Sequence, residues 1–213
     1  MSAVEPSPSR RERKRQRVRE DLLRSARTLI ADLGEANIRV TDVTEMSDVG
    51  QGSFYSHFES KQALIAAVID EAGTSIATAI GDVVDGIEDP AAALVEWAER
   101  LVGVCFSDPD LASLLVQLDD ADARFERLVR PRLEPLVDRG IENGRFDCPD
   151  RDTWVHTLVA IILATVRSLV EGNAGPNAAS LCAEAVLRLV GIPRDQARDL
   201  VRSGMRPDAS PTV

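Results

Sequence analysis

Residues 39–61, RVTDVTEMSDVGQGSFYSHFESK, constrain this chain more than any other stretch. Two short segments of helical period flank Ser47-Asp48-Val49-Gly50, which leaves room only for a tight turn. Val40, Val43, Val49, Phe54 and Phe58 have the spacing of a buried seam between two crossed helices. Asp48 falls in the turn, where aspartate tolerates left-handed backbone better than most residues. Gly50 takes the cap position of the second segment. Gly52 sits in its first turn, where glycine weakens a helix unless another surface approaches the backbone closely. Gln51, Ser53, Tyr55, Ser56 and His57 are left on the exposed side.

The rest of the chain also reads as helix, with no sustained strand alternation and no internal repeat. A first helix is expected from Arg10 to Leu33, with Leu22, Ala26, Leu29, Ile30 and Leu33 on one face and Gly34 as its stop. A second spans about 41–47 with Thr41 as N-cap, and a third about 51–58. A fourth opens at Ser60 and runs to about Val84. Asp89-Pro90 and Asp108-Pro109 each place an acid at the N-cap and proline at the first helical position. A helix over 122–142 contains Pro131 and Pro135, which should kink or split it. Further helices cover about 150–171 and 176–190, and Pro193 starts a short last one after Gly191. The fold class is therefore all-α, with nine or ten helices. The expected division is a head of three helices over 10–62 and a larger helical body over 63–205. Segments 1–9 and 206–213 are expected to be disordered tails.

Hydrophobic residues make up 44% and aromatics only 4%, so the core must be mostly aliphatic, which suits helices. The longest apolar run, 154–170, is interrupted by His156, Thr157, Thr165 and Arg167, so no membrane span is expected. No secretory signal pattern appears, and a cytoplasmic location is expected. Cys105, Cys148 and Cys182 are widely spaced, which points to neither a disulfide framework nor a metal site. The two histidines, His57 and His156, accompany no nucleophile motif, metal spacing or phosphate loop, so neither an enzyme nor a cofactor is expected.

The net charge of −10 is unevenly spread: residues 1–62 carry +1 and the remainder −11. Residues 10–19, RRERKRQRVR, hold seven basic residues and one acid. A basic arm on an acidic body suits a protein that meets DNA at one end. The exposed tip of residues 51–57 has matching chemistry. Glutamine pairs bidentately with adenine, and serine bonds donor or acceptor edges. Tyr55 and His57 can donate to phosphate oxygens, as can Thr41. Lys61 stands in the first turn of the fourth helix, where a cation opposes the helix dipole unless a phosphate binds there. Arg17, Arg39, Gly50 and Gly52 complete the candidate DNA-contact set.

Residues of about 17–65 resemble the DNA-binding domain of the TetR (tetracycline repressor-like) regulators. The resemblance rests on Val40-Thr41-Asp42-Val43, Val49, Gly52-Ser53-Phe54-Tyr55, and the intact run Tyr55-Ser56-His57-Phe58-Glu59-Ser60-Lys61-Gln62-Ala63-Leu64. Ser47-Asp48 stands where the family often has Ala-Gly, and Gly50 where it often has a capping serine. The resemblance implies an all-α homodimer that binds a palindromic operator in double-stranded DNA. It also implies a repressor released by a small molecule, although these residues do not fix the sign of regulation, and an activator of the same fold stays open. A helical protein–protein module is the other reading.

In the body, the helix over 152–171 is apolar around most of its circumference, and that over 177–190 is rich in small residues. Val155, Val159, Ile162, Val166, Ala179, Cys182 and Val186 are the expected dimer contacts. Trp97, Leu101, Cys105, Phe106, Leu114, Leu118, Phe125, Leu128, Trp154 and Leu158 supply the large side chains of a core or of an effector pocket. Few polar groups fall among them, so an apolar or amphipathic effector is expected.

Overall fold

The computed structural model describes residues 9–81 and 86–204. Ten helices and no strand occur among them: α1 (Arg10–Leu33), α2 (Val40–Met46), α3 (Gln51–Tyr55), α4 (Lys61–Ile80), α5 (Pro90–Ser107), α6 (Pro109–Gln117), α7 (Ala121–Glu142), α8 (Arg151–Val170), α9 (Ala178–Leu189) and α10 (Arg194–Gly204). The all-α expectation holds. The chain divides into two compact units, Met1–Glu71 and Ala72–Val213, and the division falls inside α4.

Local signals set most helix limits. Ser9 caps α1 through a reciprocal pair: its Oγ accepts from the Glu12 N–H at 3.2 Å, and its own N–H donates to Glu12 Oε2. Ser9 thus belongs to the fold, whereas the other residues expected in the N-terminal tail, the C-terminal tail and the end of the fourth helix at Val84 lie outside the described residues. Gly34, at φ 79°, ends α1 and bonds back to the Ile30 carbonyl at 2.9 Å. Leu33, expected on the buried face, is instead 48% exposed, because the chain leaves the helix at the next residue. The Asp89 and Asp108 carboxylates cap α5 and α6 by accepting from Ala91 N–H and Leu111 N–H, each at 3.0 Å.

Of the expected kink or split, the split does not occur: α7 is continuous from Ala121 to Glu142 through Pro131 and Pro135. Both prolines are exposed and four residues apart, so the two carbonyls deprived of a helical donor lie on the solvent side. α4 and α8 are each 20 residues and apolar enough to cross a membrane by length and composition, a test that the core helix of a soluble protein also passes. Scattered polar residues interrupt an apolar run without lowering its average enough. Val155, Leu158, Ile162 and Val166 of α8 are nevertheless fully buried in the core of the second unit.

That core joins α8 to α6, α7 and α9, and α5 to α9 and α10. Trp97, Leu94, Leu101, Leu114 and Phe125 are its large members, each no more than 1% exposed. Close approach is built in at Gly73, where an added Cβ would come within 2.9 Å of Leu128, so α4 packs tightly on α7 there.

Candidate nucleic-acid interface

The tip of the first unit is built from the turn outward. α2 begins earlier than its composition suggests, and its N-cap is Arg39 rather than Thr41. The reason is Asp42, whose carboxylate accepts from the Arg39 N–H at 2.9 Å and fixes the first turn. Asp48 adopts φ 52°, the expected left-handed turn, while its neighbour's N–H, that of Val49, bonds to the Thr44 carbonyl at 3.0 Å. Gly50 is the extended N-cap of α3, as its position suggested.

α3 is shorter than expected, stopping at Tyr55 instead of Phe58. Its C-terminal end tightens into a turn in which His57 N–H bonds to the Phe54 carbonyl at 2.9 Å. Phe54 and Phe58 anchor it, 0% and 4% exposed, with ring centroids 5.9 Å apart. Val43 is buried as expected, whereas Val40 and Val49 are only half-buried; Ile38, just before α2, is buried as well.

Anchoring those phenyl rings presents the other face. Gln51, Gly52, Ser53, Tyr55 and Ser56 are exposed, Tyr55 at 58%. Ser56 Oγ donates to the Ser53 carbonyl at 2.6 Å, which occupies its hydroxyl proton. His57 is half-buried. Burial first, then the charges of Arg15 and Arg19, hold its imidazole below the ordinary 6.5. The Arg19 guanidinium lies over the Phe58 ring, 4.6 Å from its centroid. α1 thus brings its basic arm alongside the tip, a proximity hidden in the sequence by nearly forty intervening residues. Arg17, Arg39 and Thr41 are exposed on the same unit.

Lys61 has a different setting from the one its position suggested. Its ammonium donates to the carbonyls of Glu35 at 3.2 Å and Ile38 at 3.1 Å, and so braces the loop after α1. One of its three N–H bonds remains for an outside acceptor.

In the second unit, a cavity of about 370 Å³ is lined by Ile80, Gly81, Trp97, Pro131, Arg132, Pro135, Leu136 and Arg139. Of the ten residues expected in a pocket, Trp97 lines this cavity. Leu101, Cys105, Leu114, Leu118, Phe125 and Leu158 are buried core, Leu128 and Trp154 are half-buried, and Phe106 is 64% exposed at the end of α5. Arg132 and Arg139 were not foreseen. Their signal was the seven-residue spacing that sets them on one face of α7 beside the two prolines.

The residues expected at a dimer seam are mostly interior to the single chain. Val155, Ile162, Val166 and Val186 are fully buried, Val159 and Cys182 nearly so, and Ala179 is half-buried. Side chains already enclosed within one copy have no surface to offer a second. The exposed positions on these helices include His156, Ala160, Ala164 and Arg167 of α8, and Leu181, Ala185 and Arg188 of α9, with Leu181 at 64%.

Residues 22–68 match the family model of bacterial regulatory proteins of the tetR family. Residues 89–203 match that of the tetracyclin repressor-like C-terminal domain. A relative, the "uncharacterized HTH-type transcriptional regulator YvdT" of Bacillus subtilis (strain 168), is 25% identical over 168 residues, covering 73% of this chain and 79% of its own. The structure of RolR with the ligand resorcinol is similar at 28% identity and a TM-score of 0.70, covering 92% of this chain and 96% of that one. FadR from Bacillus subtilis, in complex with stearoyl-CoA, shares the fold at 16% identity and a TM-score of 0.67, covering 81% and 97%. With an exposed polar tip on a helix-turn-helix and a matching helical body, the chain belongs to the TetR family and is a DNA-binding transcriptional regulator, not an enzyme.

Proposed function

We propose that the protein is a homodimeric repressor that binds a palindromic operator in the cytoplasm and is released by a small effector held in its second unit. The exposed polar face of α3, backed by the buried Phe54 and Phe58, carries this reading. Gln51 and Ser53 read base edges, with Gly50 and Gly52 allowing close approach of the backbone. Tyr55, Ser56, His57, Thr41 and Arg39 contact phosphates and fix register, and Arg17 adds charge from the arm. Lys61 positions the tip and lends its remaining N–H to a phosphate. The partner protomer docks on the exposed stripes of α8 and α9. Ala160, Ala164 and Ala185 permit close helix approach there, and Leu181 supplies apolar area. Two heads then address two half-sites.

Effector binding acts through α4, which begins at the tip with Lys61 and ends in the cavity wall with Ile80. A ligand that fits a displaced α4–α7 arrangement better than the DNA-competent one shifts the population away from binding. RolR, which binds resorcinol, supports a small effector.

The deciding experiment is anisotropy of the purified protein on the DNA upstream of its own gene, across salt concentrations. Specific binding should exceed that to random DNA by a factor on the order of 10³ or more. Equal affinity for both would overturn the operator reading. A reporter fused to the same DNA distinguishes repression from activation.

A further inference from the structure

We propose that the cavity beside α7 takes a small organic anion, a carboxylate on a compact apolar body, with Arg139 and Arg132 as its charge partners. The inference rests on the effector reading above and names the effector's chemistry, adding a fixed negative charge to the amphipathic character expected from the sequence.

Two guanidiniums line one cavity of about 370 Å³, and neither has an ion pair or side-chain hydrogen bond among the described residues. A shortage of acids does not explain this, since residues beyond 62 carry a net −11. Three acids of α7 are committed to other arginines. Glu126 and Glu134 hold Arg130 at 3.1 and 2.8 Å, and Asp138 holds Arg151 at 2.9 Å.

A second observation is independent of charge. Trp97 is 1% exposed and its indole N–H has no acceptor; the Arg139 Nε–H is likewise buried and unpartnered. Buried donors are nearly always satisfied, and an exception calls for an explanation. Here two such donors belong to residues that line the same cavity. Arg132 and Arg139 are two turns apart, ~10 Å along the axis, a span that two long side chains can close around one carboxylate. Ile80 and Leu136 supply apolar wall for the rest of the ligand.

The test uses the full chain and a panel of probes: benzoate, phenylacetate, salicylate, hexanoate and octanoate, each beside its neutral amide. Calorimetry should show at least one carboxylate binding while its amide does not. Arg139→Met should weaken that carboxylate about tenfold or more, the loss expected for a charge-assisted hydrogen bond. Arg132→Met, at an exposed position, serves where Arg139→Met fails to fold. Amides that bind as well as acids, a panel in which no acid binds up to its solubility limit, or affinity unchanged in both variants would overturn the proposal. Operator release is measured separately. A carboxylate that binds without releasing DNA upholds the anion site and defeats ligand-released repression, whereas release by neutral compounds alone does the reverse.

Discussion

The Lys61 ammonium lies 3.1 Å from the Ile38 carbonyl oxygen and also bonds to that of Glu35, so a residue of the DNA-binding motif serves as a brace for the loop after α1. Lys61→Met should lower stability by about 1–3 kcal/mol through the two carbonyls it leaves without their charged donor. Thermal melting reads this, with operator affinity measured at a temperature where both proteins are folded. An unchanged melt with reduced DNA affinity would assign Lys61 wholly to DNA.

Gly52 meets nothing within 4 Å of the position an added Cβ would take. Gly52→Ala should therefore fold at least as well as wild type, and gain roughly 0.5–1 kcal/mol from helix propensity. Operator affinity should nevertheless fall, because the methyl group would stand between backbone and groove. Retention of full affinity would show that α3 does not approach DNA at this residue.

Arg10, Arg11, Lys14 and Arg17 are exposed along the first turns of α1. Replacing Arg11, Lys14 and Arg17 with Gln should weaken operator and random DNA alike. The slope of log K against log salt should become shallower by about 0.9 for each phosphate that is no longer neutralised. Weakening confined to the operator would mean that the arm reads sequence.

Asp89 caps α5 and pairs bidentately with Arg145 at 2.8 and 3.0 Å. The Arg145 hydrogen bond, chiefly, holds the Asp89 carboxyl below its ordinary 3.8. A lowered folded pKa gives stability that is complete above the unfolded value and is lost as pH falls through the folded one. The pair should thus contribute fully above about pH 4 and fade on further acidification. The carboxylate is 38% exposed, so the contribution is about 0.2–1 kcal/mol. Asp89→Asn should remove that and its share of the acid dependence, and Asp89→Ala about 1 kcal/mol more through the cap. Urea melts at two pH values measure both, and an Asp89→Asn protein with undiminished acid sensitivity would place the effect elsewhere.

Leu181 is 64% exposed on α9, while Val186 on the same helix is fully buried. If the proposed dimer forms on this face, Leu181→Glu should give folded monomers in sedimentation and weaken operator binding. Val186→Glu should unfold the protein instead. A Leu181→Glu protein that still sediments as a dimer would move the interface off this face.

Sequence by itself determined where most helices begin and end, and what the tip is. Ser9 with Glu12, Gly34, Asp89-Pro90 and Asp108-Pro109 act within one turn of the backbone, so their effect is readable without neighbours. The motif of residues 39–61 marks its own buried anchors, Phe54 and Phe58, and the turn at Asp48 followed from its chemistry. Tertiary structure alone decided what each apolar surface meets. α8 is apolar around most of its girth, so composition demanded burial without naming the partner. Val155, Val159, Ile162 and Val166 went to the chain's own core and left Ala160 and Ala164 outside. Phe106 looked like a core residue and lies on the surface, because the turn at Asp108 ends its helix before any element can cover it. Arg132 and Arg139 read as ordinary solvated charges until the packing of α7 set them beside Trp97, in a wall that leaves two buried donors unanswered. Hydrophobicity and charge fix what must be hidden or paired, and the partner that does so lies far along the chain, where only the fold brings it near.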